Sequence, residues 1–410
     1  MKEDRKEKGN VPNLRFPQFH GEWEKKKINT LTNIKAGATP STLNAEYWNG
    51  NIRWMSSGEL NKKRIYEVNG RISELGLQRT STTLVPSGCV LIGLAGQGKT
   101  RGTAAINYVE LCTNQSIASI LPSKNVNSEF LYQNIESRYQ ELRDISSGDG
   151  GRGGLNLSII GNLYVPICSM AEQQKIAQFL HLIDQRIETQ NKIIEDLKKL
   201  KTALVDGLYN FSNEGKTRIR FSEFEEKHLR TTLGNITNNF NRRNKEKKVF
   251  PMYSVTNNQG FVVQSEKFGD REMIGEDIGS YKIIESGEFA YNPARINVGS
   301  IAQYNGAFPC MISSLYVCFK LKDGIDSSWA SYLLKSKRVN FYYDVYGEGG
   351  VRVYLFYPNF ARIKVSIPNL NEQKKIGNFL SEIDRRIDIE TNLQQKYLQQ
   401  KSYLLRYLFI

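Results

Sequence analysis

Ala171–Ile187 reads AEQQKIAQFLHLIDQRI, and Asn371–Ile387 reads NEQKKIGNFLSEIDRRI. Ten of the 17 positions are identical at a constant offset of 200, so the 410-residue chain is read as one unit written twice. Both copies carry helical signals. Ile176, Leu180, Ile183, Ile187, Ile194 and Leu197 follow the spacing of a heptad seam, with polar Gln190 at the skipped step. Leu200, Leu204 and Leu208 extend the apolar face after a shift, and neither Pro nor Gly interrupts residues 170–206. Ile376, Leu380, Ile383 and Ile387 begin the same seam in the second copy, and Leu393, Tyr397, Leu404 and Leu408 continue it less regularly. The pattern predicts two long helices able to pair antiparallel like a coiled coil. A run of about 38 residues at ~1.5 Å each reaches roughly 57 Å.

Working outward, residues 1–13 read as a charged, disordered lead-in. Residues 14–168 form a first globular block, 169–212 the central helix, 213–368 a second block and 369–410 the C-terminal helix. Arg15-Phe-Pro-Gln-Phe19 opens the first block, and Arg220-Phe-Ser-Glu-Phe224 opens the second with the same spacing. Leu31/Ile34 and Leu233/Ile236 continue the parallel. Gly148-Asp-Gly-Gly151 is echoed by Gly347-Glu-Gly-Gly350. A helix is predicted before each Gly-rich loop. One runs over 130–143 behind a Ser128 cap, with Leu131, Ile135, Tyr139 and Leu142 on one face. The other runs over 329–340 behind Ser327/Ser328, with Trp329, Tyr332, Leu333 and Leu334 inward. Short β-rich runs at 90–93, 313–321 and 362–367 make each block α+β. The fold class is therefore α+β: two pseudo-repeated globular domains separated by two long antiparallel coiled-coil-like helices.

The net charge is +14. Residues 1–168 carry 21 Lys/Arg and 15 Asp/Glu (+6), and residues 213–368 carry 22 and 16 (+6). Residues 169–212 carry 6 and 6, and residues 369–410 carry 7 and 5 (+2). The positive charge thus sits in the blocks and largely bypasses the helices, which suits a polyanion touching two domains. Five cysteines without a Cys-x-x-Cys pair suggest a reduced, cytoplasmic protein, and three scattered histidines suggest no metal cluster. No segment approaches the ~20 apolar residues of a membrane span.

Gly93-Leu-Ala-Gly-Gln-Gly98-Lys99-Thr100 matches the phosphate-cradling P-loop pattern, which makes an ATPase using Lys99 and Thr100 one alternative. A true P-loop must open a helix. Here Arg101-Gly102-Thr103 leads into strand-like sequence, so a Gly-rich loop carrying Lys99 and Arg101 toward DNA is preferred. Tyr291-Asn292-Pro293-Ala294 lacks the second Pro and the aromatic of an amino-methyltransferase loop, and Glu225-Glu226-Lys227 lacks the Pro-Asp that completes a common nuclease pattern. No catalytic residues are assigned. A coiled-coil adaptor that binds only protein is the second alternative.

The duplicated Glu-Gln-x-Lys-Ile-x-x-Phe-Leu-x-x-Ile-Asp-x-Arg-Ile motif, alternating with two basic blocks, resembles the DNA specificity subunit of type I restriction–modification systems. The resemblance covers essentially the whole chain. Weaker similarities lie at Trp54-Met-Ser-Ser-Gly-Glu59, Thr100-Arg-Gly-Thr103 and Tyr253-Ser-Val-Thr-Asn-Asn258. It implies that each block is a target recognition domain reading one half of a split double-stranded DNA sequence. The helices would set the gap between half-sites and dock two modification subunits. S-adenosylmethionine for adenine N6 methylation, and ATP with Mg on motor/nuclease subunits, would belong to those partners, with no metal or cofactor in this chain. The candidate DNA contacts are Arg53, Lys99, Arg101 and Arg152 in the first block, and Arg242, Arg243, Asn257, Arg295 and Arg352 in the second. The candidates for helix pairing and partner docking are Glu172, Ile176, Phe179, Leu180, Ile183, Asp184 and Ile187, with Glu372, Ile376, Phe379, Leu380, Ile383, Asp384 and Ile387.

Overall fold

The computed structural model describes residues 9–96, 100–146, 154–211, 217–264, 278–349 and 353–410. The chain divides into two compact units. Unit 1 comprises residues 1–191 and 392–410, and unit 2 comprises residues 192–391.

In chain order the first block holds β1 (Glu24–Lys27), α1 (Ile28–Leu31), β2 (Ile34–Ala36), β3 (Trp48–Met55), β4 (Arg64–Ile65), β5 (Gly70–Ile72), α2 (Glu74–Arg79), β6 (Leu84–Val85), β7 (Val90–Gly93), β8 (Ala104–Asn107), β9 (Leu111–Thr113), β10 (Ile117–Ile120), α3 (Ser128–Ser137), α4 (Tyr139–Ile145), α5 (Leu157–Asn162) and β11 (Tyr164–Ile167). The first long helix, α6, spans Met170–Tyr209. The second block holds β12 (Leu229–Thr232), α7 (Leu233–Ile236), β13 (Thr237–Phe240), β14 (Tyr253–Thr256), β15 (Gly260–Val263), β16 (Lys282–Ile284), β17 (Phe289–Tyr291), β18 (Ile301–Gln303), β19 (Cys310–Ile312), β20 (Val317–Leu321), α8 (Ser327–Lys335), α9 (Lys337–Val345), α10 (Tyr357–Ala361) and β21 (Lys364–Ile367). The second long helix, α11, spans Leu370–Leu408.

The duplication extends to topology. Unit 1 has a β1-β11 pair and a sheet ordered β2-β10-β7-β8-β4. Unit 2 has a β12-β21 pair and a sheet ordered β13-β20-β17-β18. The four shared strands occupy the same order in both. A sheet β5-β3-β9-β6 completes unit 1, whereas two-stranded pairs β14-β15 and β16-β19 occupy unit 2. The blocks therefore share a scaffold and differ in what is added to it.

Buried apolar positions bind each long helix to a block. Ile176, Leu180 and Ile183 lie in one core with Trp23, Phe130, Ile160 and Val165, which Leu404 and Leu408 of the second long helix and Phe409 just after it complete. In unit 2, Ile376 and Leu380 join Trp329, Phe360 and Val365, completed by Leu208 and Tyr209. Each fully buried Ile or Leu contributes about 1.5–3 kcal/mol. Within unit 1 the two helix segments run antiparallel: Asp184 meets Lys401, Arg186 lies under Tyr397, and Asn191 meets Gln394. Leu200, expected on the apolar face, is 50% exposed, because the stripe has rotated off the contact by that turn.

Three sequence expectations are corrected. The helix expected over 130–143 is broken at Arg138 (φ −101°, ψ 20°) into α3 and α4, and its cap is Asn127, which accepts from Phe130 N, rather than Ser128. The helix expected over 329–340 breaks at Ser336, which caps α9, while Asp326 rather than Ser327 or Ser328 caps α8. The first-block counterparts of Leu233 and Ile236 are Ile28 and Leu31, since α1 and α7 share one sequence spacing and bury those pairs.

Candidate nucleic-acid interface

The two sequence echoes of each half are parts of one clasp. Arg15 donates from Nε and Nη2 to Glu172 at 2.7 and 2.8 Å, and Arg220 repeats this with Glu372 at 2.8 and 2.8 Å. Glu172 and Glu372 are each 1% exposed, so the fork-to-carboxylate geometry compensates a charge removed from water. Beside it Phe16 meets Phe179 edge-on at 5.8 Å, and Phe221 meets Phe379 at 5.7 Å. Lys175 and Lys375 lie over Phe16 and Phe221 at 5.7 and 4.9 Å. The next residue ties down the first helix of the block. Gln173 Oε1 accepts from Asn127 N at 2.8 Å, and Gln373 Oε1 accepts from Asp326 N at 2.9 Å. Glu172 and Phe179, with Glu372 and Phe379, thus face their own blocks. Arg15 and Arg220 are visible in the sequence as a repeat, but nothing in one sequence links that repeat to the glutamates.

One position of the clasp differs. His228 stands where the first block has Trp23, and His228 Nε2 lies 3.2 Å from Glu372 Oε1. Burial holds the His228 pKa below its ordinary value, against the opposing pull of the Glu372 carboxylate.

Asp184 and Asp384 anchor a second repeated contact. Lys401 reaches Asp184 at 2.6 Å in unit 1, and Lys201 reaches Asp384 at 2.5 Å in unit 2. Both pairs are related by the offset of 200. In unit 1 the network grows: Arg64 bonds Glu129 at 2.6 Å and Asp184 at 2.7 Å, and Gln133 donates to both carboxylates. Burial pushes the Asp184 carboxyl up, but Lys401 with the Arg64 and Gln133 hydrogen bonds outweighs it and holds the carboxyl below its ordinary range. Arg64 is 7% exposed. Arg64→Ala is expected to destabilise unit 1 by about 3–5 kcal/mol, because Glu129 loses its bonded guanidinium and Asp184 is left with Lys401 as its one paired cation. Urea unfolding of Arg64→Ala, Asp184→Asn and the double variant checks this, and additive effects would refute the coupling.

The sequence-predicted DNA contacts are scattered. Arg53 projects from β3 and bonds Glu67 at 3.0 Å. Arg101 lies in the β7–β8 turn and is half-buried. Arg242 is paired with Glu285 at 2.9 Å and Glu288 at 2.6 Å. Arg243 and Arg295 are exposed, and Asn257 is exposed at the β14–β15 turn. Lys99, Arg152 and Arg352 lie outside the described residues, as does the Gly148–Gly151 loop. The P-loop alternative is corrected by the fold: β7 and β8 pair antiparallel through a turn at Gly102 (φ 80°), so the chain returns as a hairpin and does not open a helix. Among the described residues no helix is long and apolar enough to cross a membrane.

Residues 20–199 and 231–398 match the family described as type I restriction modification DNA specificity domain. The type I restriction enzyme MjaIX specificity subunit of Methanocaldococcus jannaschii is 34% identical over 188 residues, 45% of this chain and 43% of that protein. The EcoR124I/EcoR124II specificity subunit of Escherichia coli is 26% identical over 175 residues, 42% of this chain and 43% of that protein. The matched region thus spans less than half the length of either relative. The MjaVIII specificity subunit of M. jannaschii is 20% identical over 418 residues, 96% of this chain and 94% of that protein. The crystal structure of a type I restriction–modification S subunit from M. genitalium superposes with a TM-score of 0.60 at 17% identity, covering 98% of this chain and 99% of that one.

Proposed function

This chain belongs to the type I restriction–modification DNA specificity family, and we propose that it is the non-catalytic, cytoplasmic subunit that chooses the DNA target for both methylation and cleavage. The observation that carries this reading is the repeated clasp, which holds two blocks of shared sheet order and different periphery against two copies of one helix motif. Such a design repeats the mode of presentation while the reading surface changes. Each block reads one half of a bipartite double-stranded target, and a fixed link between two weak readers raises affinity only when the spacing fits. Lys and Arg of the blocks supply phosphate affinity, and a few side chains read base edges.

In this reading the two long helices set the spacer and dock two modification subunits. Those subunits bring S-adenosylmethionine and extrude an adenine for N6 methylation. Motor/nuclease subunits add ATP- and Mg-dependent cleavage.

The test is co-expression with modification subunits, followed by mapping of methyladenine across a genome. One asymmetric bipartite pattern is the expected result, and methylation without any two-part pattern would overturn the reading. Exchanging residues 14–168 for the corresponding block of another family member is expected to change one half-site and leave the other and the spacer unaltered, as the same mapping reads out.

A further inference from the structure

Unit 2 departs from unit 1 at a further repeated position, and the departure puts a lysine where unit 1 has a glutamate. In unit 1 Lys401 bonds Glu136 at 2.7 Å and Asp184 at 2.6 Å. In unit 2 Lys201 bonds Asp384, and the place of Glu136, nine residues past the helix cap in each block, is taken by Lys335. Among the described residues no carboxylate pairs with Lys335. Lys335 lines a cleft of about 560 Å³ with Lys198, Lys201 and Lys337, in which Asp384 pairs with Lys201 and Asp206 with Lys337, so that Lys335 and Lys198 are the lysines in excess. Desolvation, followed by the Lys201 charge, holds the Lys335 ammonium below its ordinary pKa against the opposing pull of Asp384.

A second recess of about 300 Å³ shares Ser331 and Lys335 with that cleft. Its other polar lining comes from the β14–β15 turn (Asn258, Gln259), from the end of β18 (Gln303) and from Asn305 just beyond it. Gln303 donates to Gly287 O at 3.1 Å. Among the described residues no hydrogen bond reaches the side-chain amides of Asn258, Gln259 or Asn305. Free carboxamides beside unbalanced lysines form a particular combination. An acidic peptide would use the lysines and leave the amides idle. A duplex presents both phosphates and base edges, and a carboxamide matches the N6/N7 edge of adenine in the major groove.

We propose that this groove on unit 2 reads the second half-site, with Lys335 and Lys198 on phosphates and Asn258, Gln259 and Asn305 on base edges that include an adenine. The assignment rests on the proposed function and deepens it. Asn257, one residue away, is the nearest of the sequence-derived DNA candidates, and none of the second-block arginines lines the groove.

The test uses the full chain assembled with modification subunits. Methyladenine is mapped for the parent, for N258A/N305A and for Lys335→Gln, and binding to a duplex carrying the mapped target is titrated at several salt concentrations. Asn258 and Asn305 are exposed, so their removal leaves the fold intact, which a circular dichroism melt verifies. N258A/N305A is expected to relax one position of one half-site while the other half-site and the spacer persist, with about tenfold weaker binding to the parent target for each bidentate amide–base pair removed. Lys335→Gln is expected to weaken binding to all duplexes alike and to lower the salt slope by about one. An unchanged methylation pattern in N258A/N305A, or an unchanged salt slope in Lys335→Gln, overturns the groove while leaving the bipartite reading standing. A parent chain that yields no bipartite pattern overturns both.

Discussion

Lengthening both long helices by four residues is expected to move methylation to targets with a longer gap between the same two half-sites. The insertion points are the junctions Asn191–Lys192 in α6 and Thr391–Asn392 in α11, where the chain passes from one unit to the other. Every contact within a unit, including Asp184–Lys401 and Lys201–Asp384, then survives. Four residues add about 6 Å of helix, close to one turn. Against a rise of about 3.4 Å per base pair that corresponds to one or two added pairs. The parent target should lose modification almost completely, since the second half-site is reached at the effective concentration of a linked reader only when the gap fits. Genome-wide methyladenine mapping provides the measurement. Retention of the parent spacing would show that the helices do not set it.

Glu372→Ala carries the second large effect. The carboxylate is 1% exposed and accepts both from Arg220 and, at 3.2 Å, from His228. Removing it leaves a buried imidazole and a half-buried guanidinium without their acceptor, which costs unit 2 about 3–5 kcal/mol. The same site gives unit 2 a pH dependence that Trp23, at the equivalent position of unit 1, cannot supply. His228 must present Nε2–H to Glu372, and its Nδ1 is buried with no hydrogen-bond partner, so a second proton has nowhere to point. Its folded pKa is lowered, by burial first. The unfolded chain therefore binds the proton more readily, and stability is lost as pH falls below the unfolded value of about 6.5. Thermal melts from pH 7.5 to 5.5 should show this loss in the parent and a reduced loss in His228→Phe. Equal acid sensitivity in both proteins would exclude His228 as its source.

The scaffold is legible in the sequence because periodic burial leaves a periodic trace. Ile176, Leu180 and Ile183 recur at helical spacing, and their counterparts recur at an offset of 200. The strand β7 and the two long helices follow directly from such runs. What stays hidden is pairwise. The Arg15–Glu172 fork joins residues 157 positions apart, and neither partner announces the other. The breaks at Arg138 and Ser336 depend on how a second turn packs, and local apolar spacing runs straight through both. The candidate DNA contacts follow the same logic. Positive charge in a loop marks affinity for phosphate without revealing a carboxylate brought to it by folding, as Glu67 is to Arg53 and Glu288 to Arg242. The carboxamides near Lys335 escape sequence reasoning for the opposite cause, since Asn and Gln are ordinary loop residues until the fold gathers them.

The completion of one core by Leu404, Leu408 and Phe409 bears on synthesis. A ribosome releases the first block early, but those three side chains emerge only after all of residues 192–391. Unit 2 is contiguous in sequence and has its whole core in hand sooner. The nascent first block must meanwhile keep an apolar groove beside Ile176, Leu180 and Phe130 open to solvent. Closing it requires a loop of some two hundred residues, an entropic cost that grows only slowly with length yet delays the event. Order of birth and order of completion are therefore opposite. The first-made half is the one exposed to aggregation and to chaperone capture during translation.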